Sequence, residues 1–234
     1  MLPEYEFCRK AFEENGLSLT AEVYEKLDIY ADMLVETNKV MNLTAITEPE
    51  DVLVKHFIDS IAITRFAKFE DGMKVIDVGT GAGFPLLPVK IYMPGLKITL
   101  LDGLNKRIKF LTDVCEKIGV EAECIHERAE LLAKKDEYRE KYDIATARAV
   151  SAMPELSEYC LPFVKKGGIF CAMKGPSEDI STAANALKLL GGKLEKDEHY
   201  EINGEQRRLV VVKKAAVCPP KYPRASGKIK SKPL

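Results

Sequence analysis

The sequence predicts an α/β fold built on a doubly wound, mainly parallel β-sheet. From Gly72 onwards, short runs of β-branched residues alternate with helical runs, and one of the strands leads into a glycine-rich turn. Apolar residues make up 46% of the chain and charged residues 30%, as in ordinary globular domains. Strands and helices that alternate at this spacing form βαβ units with right-handed crossovers. Helices then cover both faces of the sheet, and ligands bind at the carboxyl ends of the central strands.

A chain of 234 residues is long enough for one main core with small appendages. We expect a helical N-terminal extension in residues 1–70 and the α/β core in residues 71–214. Residues 215–234 form a basic, proline-containing tail in this division. The whole segment 213–234 contains four prolines and shows no apolar periodicity, which predicts an extended arm.

Two helices are predicted in the N-terminal extension, where apolar residues recur three and four positions apart. One apolar stripe spans residues 19–34, and the other spans residues 53–61 and begins near Pro49, which suits a first helical turn. His56 and Asp59 would share a face of the second helix. We expect them to be a pair on the helix surface that bonds to a neighbouring loop, with a role at the substrate or as part of a cofactor lid as the alternative.

The α/β core is predicted to contain six strands and four intervening helices. The strands are expected at residues 74–78, 97–101, 121–126, 142–146, 168–173 and 208–213. The helices are expected at residues 86–92, 106–118, 152–164 and 177–190.

The overall charge taken alone argues against a nucleic-acid-binding protein, because 35 Lys and Arg face 36 Asp and Glu. The distribution is uneven, however. Residues 213–234 carry seven basic residues and no acid, which leaves 28 basic against 36 acidic residues and a net charge of −8 in the rest of the chain. A balanced total is therefore consistent with RNA binding by a local basic patch.

Neither a membrane span nor a secretory signal is predicted. No apolar stretch approaches the ~18 residues that a span needs, and the first 14 residues mix charged with apolar positions. The six cysteines are scattered without a CxxC pair or a histidine cluster, so we expect no metal site and no disulfide framework. These features predict a cytoplasmic protein.

A glycine-rich loop follows the first strand of the core, in the sequence from Asp77 to Pro85. Its glycines allow positive φ angles and a close approach of the backbone to a ligand. The dinucleotide fingerprint requires Gly or Ala at its sixth position, where this chain has Phe84, so an NAD-dependent dehydrogenase is the least favoured class. The pattern Asp-x-Gly-x-Gly-x-Gly instead resembles motif I of class I S-adenosylmethionine methyltransferases. Cofactor binding is accordingly expected from Asp77, Gly79, Gly81 and Gly83.

A second acidic residue supports a nucleoside site. Asp102 ends the next strand, 23 residues after Gly79 and close to the ~20 residues typical of a carboxylate that accepts from a ribose diol. Its alternative role is to cap the helix that starts near Asn105. A third element follows the third strand at residues 126–130, where such folds hold the adenine ring.

Several motifs together resemble the RsmG family, also called glucose-inhibited division protein B, over most of the chain. The motifs are NLTAI at 42–46, HFIDS at 56–60, residues 77–85, LLD at 100–102, KR at 106–107, RAE at 128–130, TARAV at 146–150 and KG at 174–175. The resemblance implies an S-adenosylmethionine-dependent enzyme that methylates N7 of a guanosine in the decoding-region loop of 16S ribosomal RNA. It also implies cofactor contacts at Gly79, Phe84, Ala129, Glu130 and Arg148. Gly103 departs from the family, which often has Ser there, but the preceding carboxylate is kept.

No catalytic acid or base can be named from the sequence. The segment after the fourth strand lacks the Asn/Asp-Pro-Pro-aromatic motif of exocyclic-amine methyltransferases, and no cysteine is well placed for C5 methylation of cytosine. Guanine N7 already carries a free lone pair, so positioning alone can drive its attack on a methyl group. Arg148 and Lys174 are the candidates for orienting the guanine. Alternatively, Arg148 pairs with Asp77 or Glu130 and only shapes the pocket.

The expected partner is 16S ribosomal RNA or the small ribosomal subunit, bound by a monomer. The candidate RNA contacts are Arg128, Lys174, Lys221, Arg224 and Lys228. For the three in the C-terminal tail the alternative is a solvated run of charge. Two other functions remain open. The chain could methylate another RNA position or a small molecule, or it could be a non-catalytic ribosome-associated protein with a nucleoside site.

Overall fold

The computed structural model describes all residues from Met1 to Leu234 and contains one seven-stranded sheet. The strands are β1 (Lys74–Val78), β2 (Lys97–Asp102), β3 (Glu123–His126), β4 (Tyr142–Arg148), β5 (Val164–Lys174), β6 (Gly192–Ile202) and β7 (Glu205–Lys214). They are ordered β3-β2-β1-β4-β5-β7-β6, and β7 pairs antiparallel with both of its neighbours while the first five strands are parallel. The predicted doubly wound α/β fold is confirmed, and its strand order reverses between β1 and β4, where such sheets bind ligands.

Helices cover both faces of the sheet, and the first four of them precede β1 in the chain. They are α1 (Tyr5–Glu14), α2 (Ala21–Met41), α3 (Pro49–Asp51), α4 (Asp59–Ala62), α5 (Leu86–Tyr92), α6 (Asn105–Ile118), α7 (Ala129–Leu132), α8 (Met153–Cys160), α9 (Ala184–Leu190) and α10 (Ser226–Ser231). None of them is both long and apolar enough to cross a bilayer.

The second predicted N-terminal helix is a continuous helical run with an unusual centre. Between α3 and α4 the chain forms a π-helical segment, Val52–Ile58, with the wider i→i+5 bonding pattern. Such segments are rare and are frequent at functional sites. Here the segment includes His56 and leads directly to Asp59, and both side chains are buried.

Four elements, α1, α7, β6 and α10, were not predicted from the sequence. The strand β6 was missed because it lies at the sheet edge with a largely exposed, charged sequence, which has neither the composition nor the apolar alternation of a typical strand. Its pairing depends on the hairpin with β7, whose turn places Asn203 and Gly204 at φ 48° and 79°. The helix α1 was also missed, and it buries Cys8 and Phe12 against the N-terminal helices.

The N-terminal helices share their core with one face of the sheet. Tyr30 of α2 packs with its ring centroid 5.4 Å from that of Phe57 and 5.6 Å from that of Phe84, directly after the glycine-rich loop. The same apolar cluster includes residues of α5 and α6. The N-terminal extension therefore packs against the residue that follows the glycine-rich loop. The domain boundaries at residues 70 and 214 stay predictions.

The predicted extended arm at the C terminus is wrong. Arg139 donates hydrogen bonds to the carbonyl oxygens of Cys218 and Tyr222, each at 2.9 Å, and both of these side chains are buried. Farther on, α10 buries Ile229 completely against the second face of the sheet. The prolines remove apolar periodicity from this segment, but backbone carbonyl groups beside them still accept hydrogen bonds from the core. The sequence pattern does not reveal these bonds.

Candidate active site

The carboxylate of Asp77 lies fully buried near the end of β1. In the sheet register Asp77 pairs with Thr146 of β4, whose hydroxyl donates to Asp77 Oδ1 at 2.7 Å. Asp77 Oδ2 has no hydrogen-bond partner. Burial raises the pKa of Asp77 to about 7, because a charged carboxylate is poorly solvated there. Asp77 lines neither of the cavities described below, so its expected contact with a cofactor stays a prediction.

The loop after β1 is shaped by backbone hydrogen bonds and positive φ angles. The amides of Gly79 and Thr80 donate to Leu101 O at 2.9 and 3.0 Å, which ties the loop to β2. Gly79 and Gly81 have φ angles of 72° and 63°. A Cβ at Gly79 would lie 3.0 Å from Val150 Cγ2, whereas one at Gly81 would have no atom within 4 Å. The loop backbone at Gly81 is therefore open to a ligand.

The remaining two loop residues face the N-terminal helices. A Cβ at Gly83 would lie 2.5 Å from Tyr30 Oη and 2.9 Å from a methyl group of Leu111, so this glycine permits close packing. Phe84 is buried, and its ring stacks on that of His56 with centroids 4.4 Å apart. Neither residue lines the cavity described next, so their expected direct contact with a cofactor stays a prediction.

Asp102 holds both the glycine-rich loop and the turn before α6, but it does not cap the helix, which has no side-chain cap. Its Oδ1 accepts from Leu104 N at 2.9 Å, and its Oδ2 accepts from Gly81 N at 3.0 Å and from Arg107 Nη1 at 3.3 Å. These contacts are compatible with a ribose role, because a carboxylate offers about four lone-pair positions. Three of these positions are used within the protein.

A cavity of about 320 Å³ lies at the carboxyl ends of β1, β2 and β3, within the size range of small-ligand sites. We call it the first cavity. The residues that line it are Val78, Gly79, Leu101, Asp102, Gly103, Glu127, Arg128, Ala129, Glu130, Val150, Ser151, Glu155, Tyr159, Ser226 and Lys230. It brings together Gly79, Asp102, Ala129 and Glu130, whose cofactor contacts stay a prediction, with an unpaired buried Ser151 hydroxyl. Carboxylates beside an open glycine loop fit the hydroxyl and amino groups of a nucleoside.

A second cavity, of about 510 Å³, adjoins the first and shares Val150 and Ser151 with it. It lies at the carboxyl ends of β4 and β5. Its lining consists of Asp59, Arg148, Ala149, Val150, Ser151, Ala152, Met173, Lys174, Gly175, Glu178, Tyr200, Arg207 and Arg208. The hydroxyl of Tyr200 is buried without a partner. Each of its four basic side chains is ion-paired with a carboxylate, and their remaining N–H groups and this unpaired hydroxyl are suited to a polar ligand such as a nucleotide.

Arg148 is held by contacts on several sides. Its Nη1 donates to Lys55 O at 3.2 Å and to Asp59 Oδ2 at 3.3 Å, and its Nη2 donates to His56 Nδ1 at 3.1 Å. Its guanidinium carbon also lies 4.7 Å from the ring centroid of Phe84. Burial lowers the pKa of Arg148, but a guanidinium remains charged. The alternative pairing with Asp77 or Glu130 is wrong, because the ion-pair partner is Asp59.

The contact with Arg148 determines the tautomer of His56. Since a guanidinium can only donate, Nδ1 of His56 accepts and the ring proton resides on Nε2. Nε2 then donates to Thr44 Oγ1 at 2.8 Å, and this oxygen also accepts from Ile46 N at 3.0 Å. Burial and the charge of Arg148 lower the pKa of His56 to about 3, so the ring is neutral. The predicted surface pair of His56 and Asp59 is wrong, although the bond to a neighbouring loop is present.

Lys174 fixes the loop that separates the two cavities. Its Nζ donates to Ser151 O at 2.5 Å and pairs with a carboxylate oxygen of Glu178 at 2.8 Å. Its side chain is only 5% exposed. The ammonium group thus lines the second cavity but is already committed to two protein acceptors.

The other candidate RNA contacts differ in exposure and in whether they are paired with a buried carboxylate. The side chain of Arg128 is 65% exposed beside the first cavity, and Lys221 and Lys228 are also exposed. Arg224 is not free, because its Nη2 pairs at 2.6 Å with a carboxylate oxygen of the fully buried Glu158.

The functional residues that the sequence analysis missed come from other elements. Arg207, Arg208 and Tyr200 belong to the β6–β7 hairpin, and Ser226 and Lys230 to α10. No sequence motif marks them, although the basic composition of the C-terminal segment drew attention to that region. The structure contains no cluster of three or more His, Cys, Asp and Glu side chains that could bind a metal ion.

Comparisons with known proteins agree on one family. Residues 23–210 match the family model GidB, described as rRNA small subunit methyltransferase G. A ribosomal RNA small subunit methyltransferase G from Clostridium botulinum (strain Alaska E43 / Type E3) is 48% identical and covers 98% of both chains. One from Acetivibrio thermocellus is also 48% identical and covers 94% of this chain and 92% of its own.

Solved structures share the fold at low sequence identity. A SAM-dependent methyltransferase from Aquifex aeolicus has a TM-score of 0.53 at 19% identity and covers 70% of this chain and 93% of its own. A methyltransferase from Pyrococcus furiosus has a TM-score of 0.54 at 12% identity, with 79% of this chain and 95% of its own chain covered.

Proposed function

Because the chain belongs to the rRNA small subunit methyltransferase G family, we propose that it transfers a methyl group from S-adenosylmethionine to N7 of a guanosine in 16S ribosomal RNA. The proposed guanosine lies in the decoding-region loop. The observation that supports this reaction is the pair of adjoining cavities at the switch point of the sheet, which share Val150 and Ser151. One cavity has the polar groups suited to a nucleoside cofactor, and the other has the cations suited to an RNA nucleotide.

The first cavity would hold S-adenosylmethionine, which supplies a methyl group on a positively charged sulfur. Gly79 lines this cavity and Gly81 has open space at its Cα, so the loop backbone would receive the methionine part. Asp102 would use its remaining lone pair for the ribose, and Ala129 and Glu130 would contact the adenine side. Gly83 and Phe84 would not contact the cofactor directly in this proposal. They would hold the loop in place by packing it on α2 and His56.

The second cavity would hold the target guanine. Arg148 has five N–H groups, and three protein hydrogen bonds leave two of them free to donate to the guanine O6 or to a phosphate. N7 would stay unbonded, because its lone pair is the nucleophile. Lys174 would act by fixing Ser151 between the two cavities. No residue has to remove a proton before the attack, so orientation of N7, methyl and sulfur is the main catalytic contribution.

Methyl transfer is the direct test. The protein is incubated with labelled S-adenosylmethionine and small ribosomal subunits, or 16S RNA, that lack the modification, and the digested RNA is analysed as nucleosides. Label is expected on N7 of a single guanosine. Label on an exocyclic amine or on C5 of a pyrimidine would refute the N7 assignment. Binding of S-adenosylhomocysteine without transfer to either RNA would support the non-catalytic alternative.

Arg148→Lys tests the proposed role of Arg148 at the base. The variant keeps a charge but loses the planar fork that holds three acceptors. We expect slower RNA methylation with unchanged affinity for S-adenosylhomocysteine, measured by calorimetry. A weaker affinity with normal turnover at saturation would instead make Arg148 a cofactor-binding residue.

RNA phosphates are proposed to bind the exposed residues Arg128, Lys221 and Lys228. Each lost phosphate contact should reduce the log–log salt slope of RNA binding by roughly 0.7 to 0.9. Glutamine variants with an unchanged slope would contradict this surface. We further propose that the protein acts as a cytoplasmic monomer on the small subunit, which light scattering and co-sedimentation with subunits would test.

A further inference from the structure

The C-terminal helix α10 forms part of the first cavity, although it lies beyond the matched family segment of residues 23–210. Ser226 and Lys230 are both among the cavity-lining residues. They are four positions apart and therefore share one face of the helix. Ile229, on an adjoining face, is completely buried against the core. The helix thus has one face packed on the protein and another directed to the cavity.

A buried ion pair anchors the segment that leads into α10. Arg224 donates to Glu158 from Nη2 at 2.6 Å, from Nε at 2.9 Å and from its backbone amide at 2.8 Å, and the Glu158 side chain is fully buried. The next residue of α8, Tyr159, places its hydroxyl 3.3 Å from Ser226 Oγ. Charged groups in a buried pair are held in place by their mutual hydrogen bonds. The position of α10 at the cavity is therefore well defined.

Lys230 is the only lysine that lines the first cavity, where four carboxylates also lie. These acidic residues are Asp102, Glu127, Glu130 and Glu155, and Arg128 is the only other cation. The residues on the side of β2 and β3 are those expected to contact ribose and adenine. Adenine ring nitrogens and ribose oxygens accept hydrogen bonds, and an ammonium group and a serine hydroxyl can donate them.

We propose that α10 is the outer wall of the cofactor cavity and that Ser226 and Lys230 bind the adenosine part of the cofactor. This inference rests on the proposed use of S-adenosylmethionine in that cavity. It assigns to the C-terminal segment a role in cofactor binding in addition to any contact of its exposed lysines with RNA.

The test compares Lys230→Gln with the matched control Lys232→Gln, which removes an exposed lysine just after the helix that does not line the cavity. Calorimetry measures the affinities for S-adenosylhomocysteine and for methylthioadenosine, which lacks the amino-acid part. We expect Lys230→Gln to weaken both ligands by about three- to ten-fold, the effect of one charge-assisted hydrogen bond at an exposed rim. Lys232→Gln should stay within about two-fold of the unchanged protein on the same scale. Equal affinities of the two variants would overturn the proposal.

Hydrogen exchange provides a second measurement that a purely structural helix would not affect. S-adenosylhomocysteine should slow amide exchange in Ser226–Ser231 as well as in the glycine-rich loop. Protection of the loop alone would contradict a cofactor contact by α10. If the unchanged protein binds no S-adenosylhomocysteine, the proposed function itself fails. If Lys230→Gln binds the cofactor normally but binds RNA more weakly, α10 is an RNA contact and the present inference is wrong.

Discussion

Replacing His56 with asparagine removes a buried imidazole that the fold keeps neutral beside Arg148. Asparagine can still offer a carbonyl oxygen to Arg148 but cannot titrate. The variant also loses the stacking on Phe84 and the bond to Thr44, and this loss does not depend on pH. The pH dependence of the difference between the two proteins therefore isolates the protonation of His56.

The magnitude follows from the pKa of His56. It is about 3 in the folded protein, against an ordinary value of 6.5, so between these values the unfolded chain binds a proton that the folded protein does not. The unchanged protein consequently loses stability as the pH falls below 6.5. From pH 7.5 to pH 5 the loss from His56 is about 2 kcal/mol, and the variant escapes it. The stability deficit of His56→Asn should shrink by that amount.

A difference measurement is needed because Asp77 titrates in the opposite sense. Its pKa is raised to about 7 by burial, so the folded protein binds a proton there that the unfolded chain releases, and stability rises as the pH falls through 7. The two contributions largely cancel in the unchanged protein. Asp77 is present in both proteins, however, and cancels from their difference.

Urea unfolding at pH 7.5, 6.5 and 5 provides the stability values. The chain contains no Trp, so far-UV circular dichroism is the appropriate signal. With only three histidines in the chain, nitrogen NMR can also identify the Nε2–H tautomer of His56 at pH 5. A stability difference that stays constant across this pH range, or a protonated His56 at pH 5, would refute the assigned network.

Three further predictions concern the loop and the C-terminal segment. Gly81→Asp should abolish S-adenosylhomocysteine binding in calorimetry with an unchanged dichroism spectrum, because the new side chain points into open space at the loop. The control is Gly72→Asp, which has a similarly positive φ in an equally open position and should bind normally. Gly83→Ala should lower the free energy of unfolding by about 2 kcal/mol through overpacking, and an unchanged urea midpoint would show that the loop is not held as described. Arg224→Met removes the ion-pair partner of the buried Glu158 carboxylate and should destabilise the protein by about 3 kcal/mol. Equal melting temperatures of the variant and the unchanged protein would contradict this prediction.

Local patterns in the sequence determined most of the fold. The alternation of β-branched and helical runs predicted six of the seven strands, and α5 was predicted with the bounds that the structure shows. The glycine-rich loop and Asp102 were recognisable because motif and spacing are properties of one strand-loop-helix unit. The composition of the C-terminal segment also revealed a basic region that the overall charge conceals.

Only the tertiary structure decided which distant residues meet at the site. The sequence could not show that Arg148 pairs with Asp59 and His56, residues about ninety positions earlier, or that Tyr200 and Arg207 line the adjoining cavity. It also predicted a free arm where Arg224 is bound to a buried carboxylate. Periodicity shows which face of an element is apolar, whereas the partner of a polar side chain depends on how separate elements pack. A buried polar group without a partner costs free energy, so the nearest complementary group on another element stabilises it.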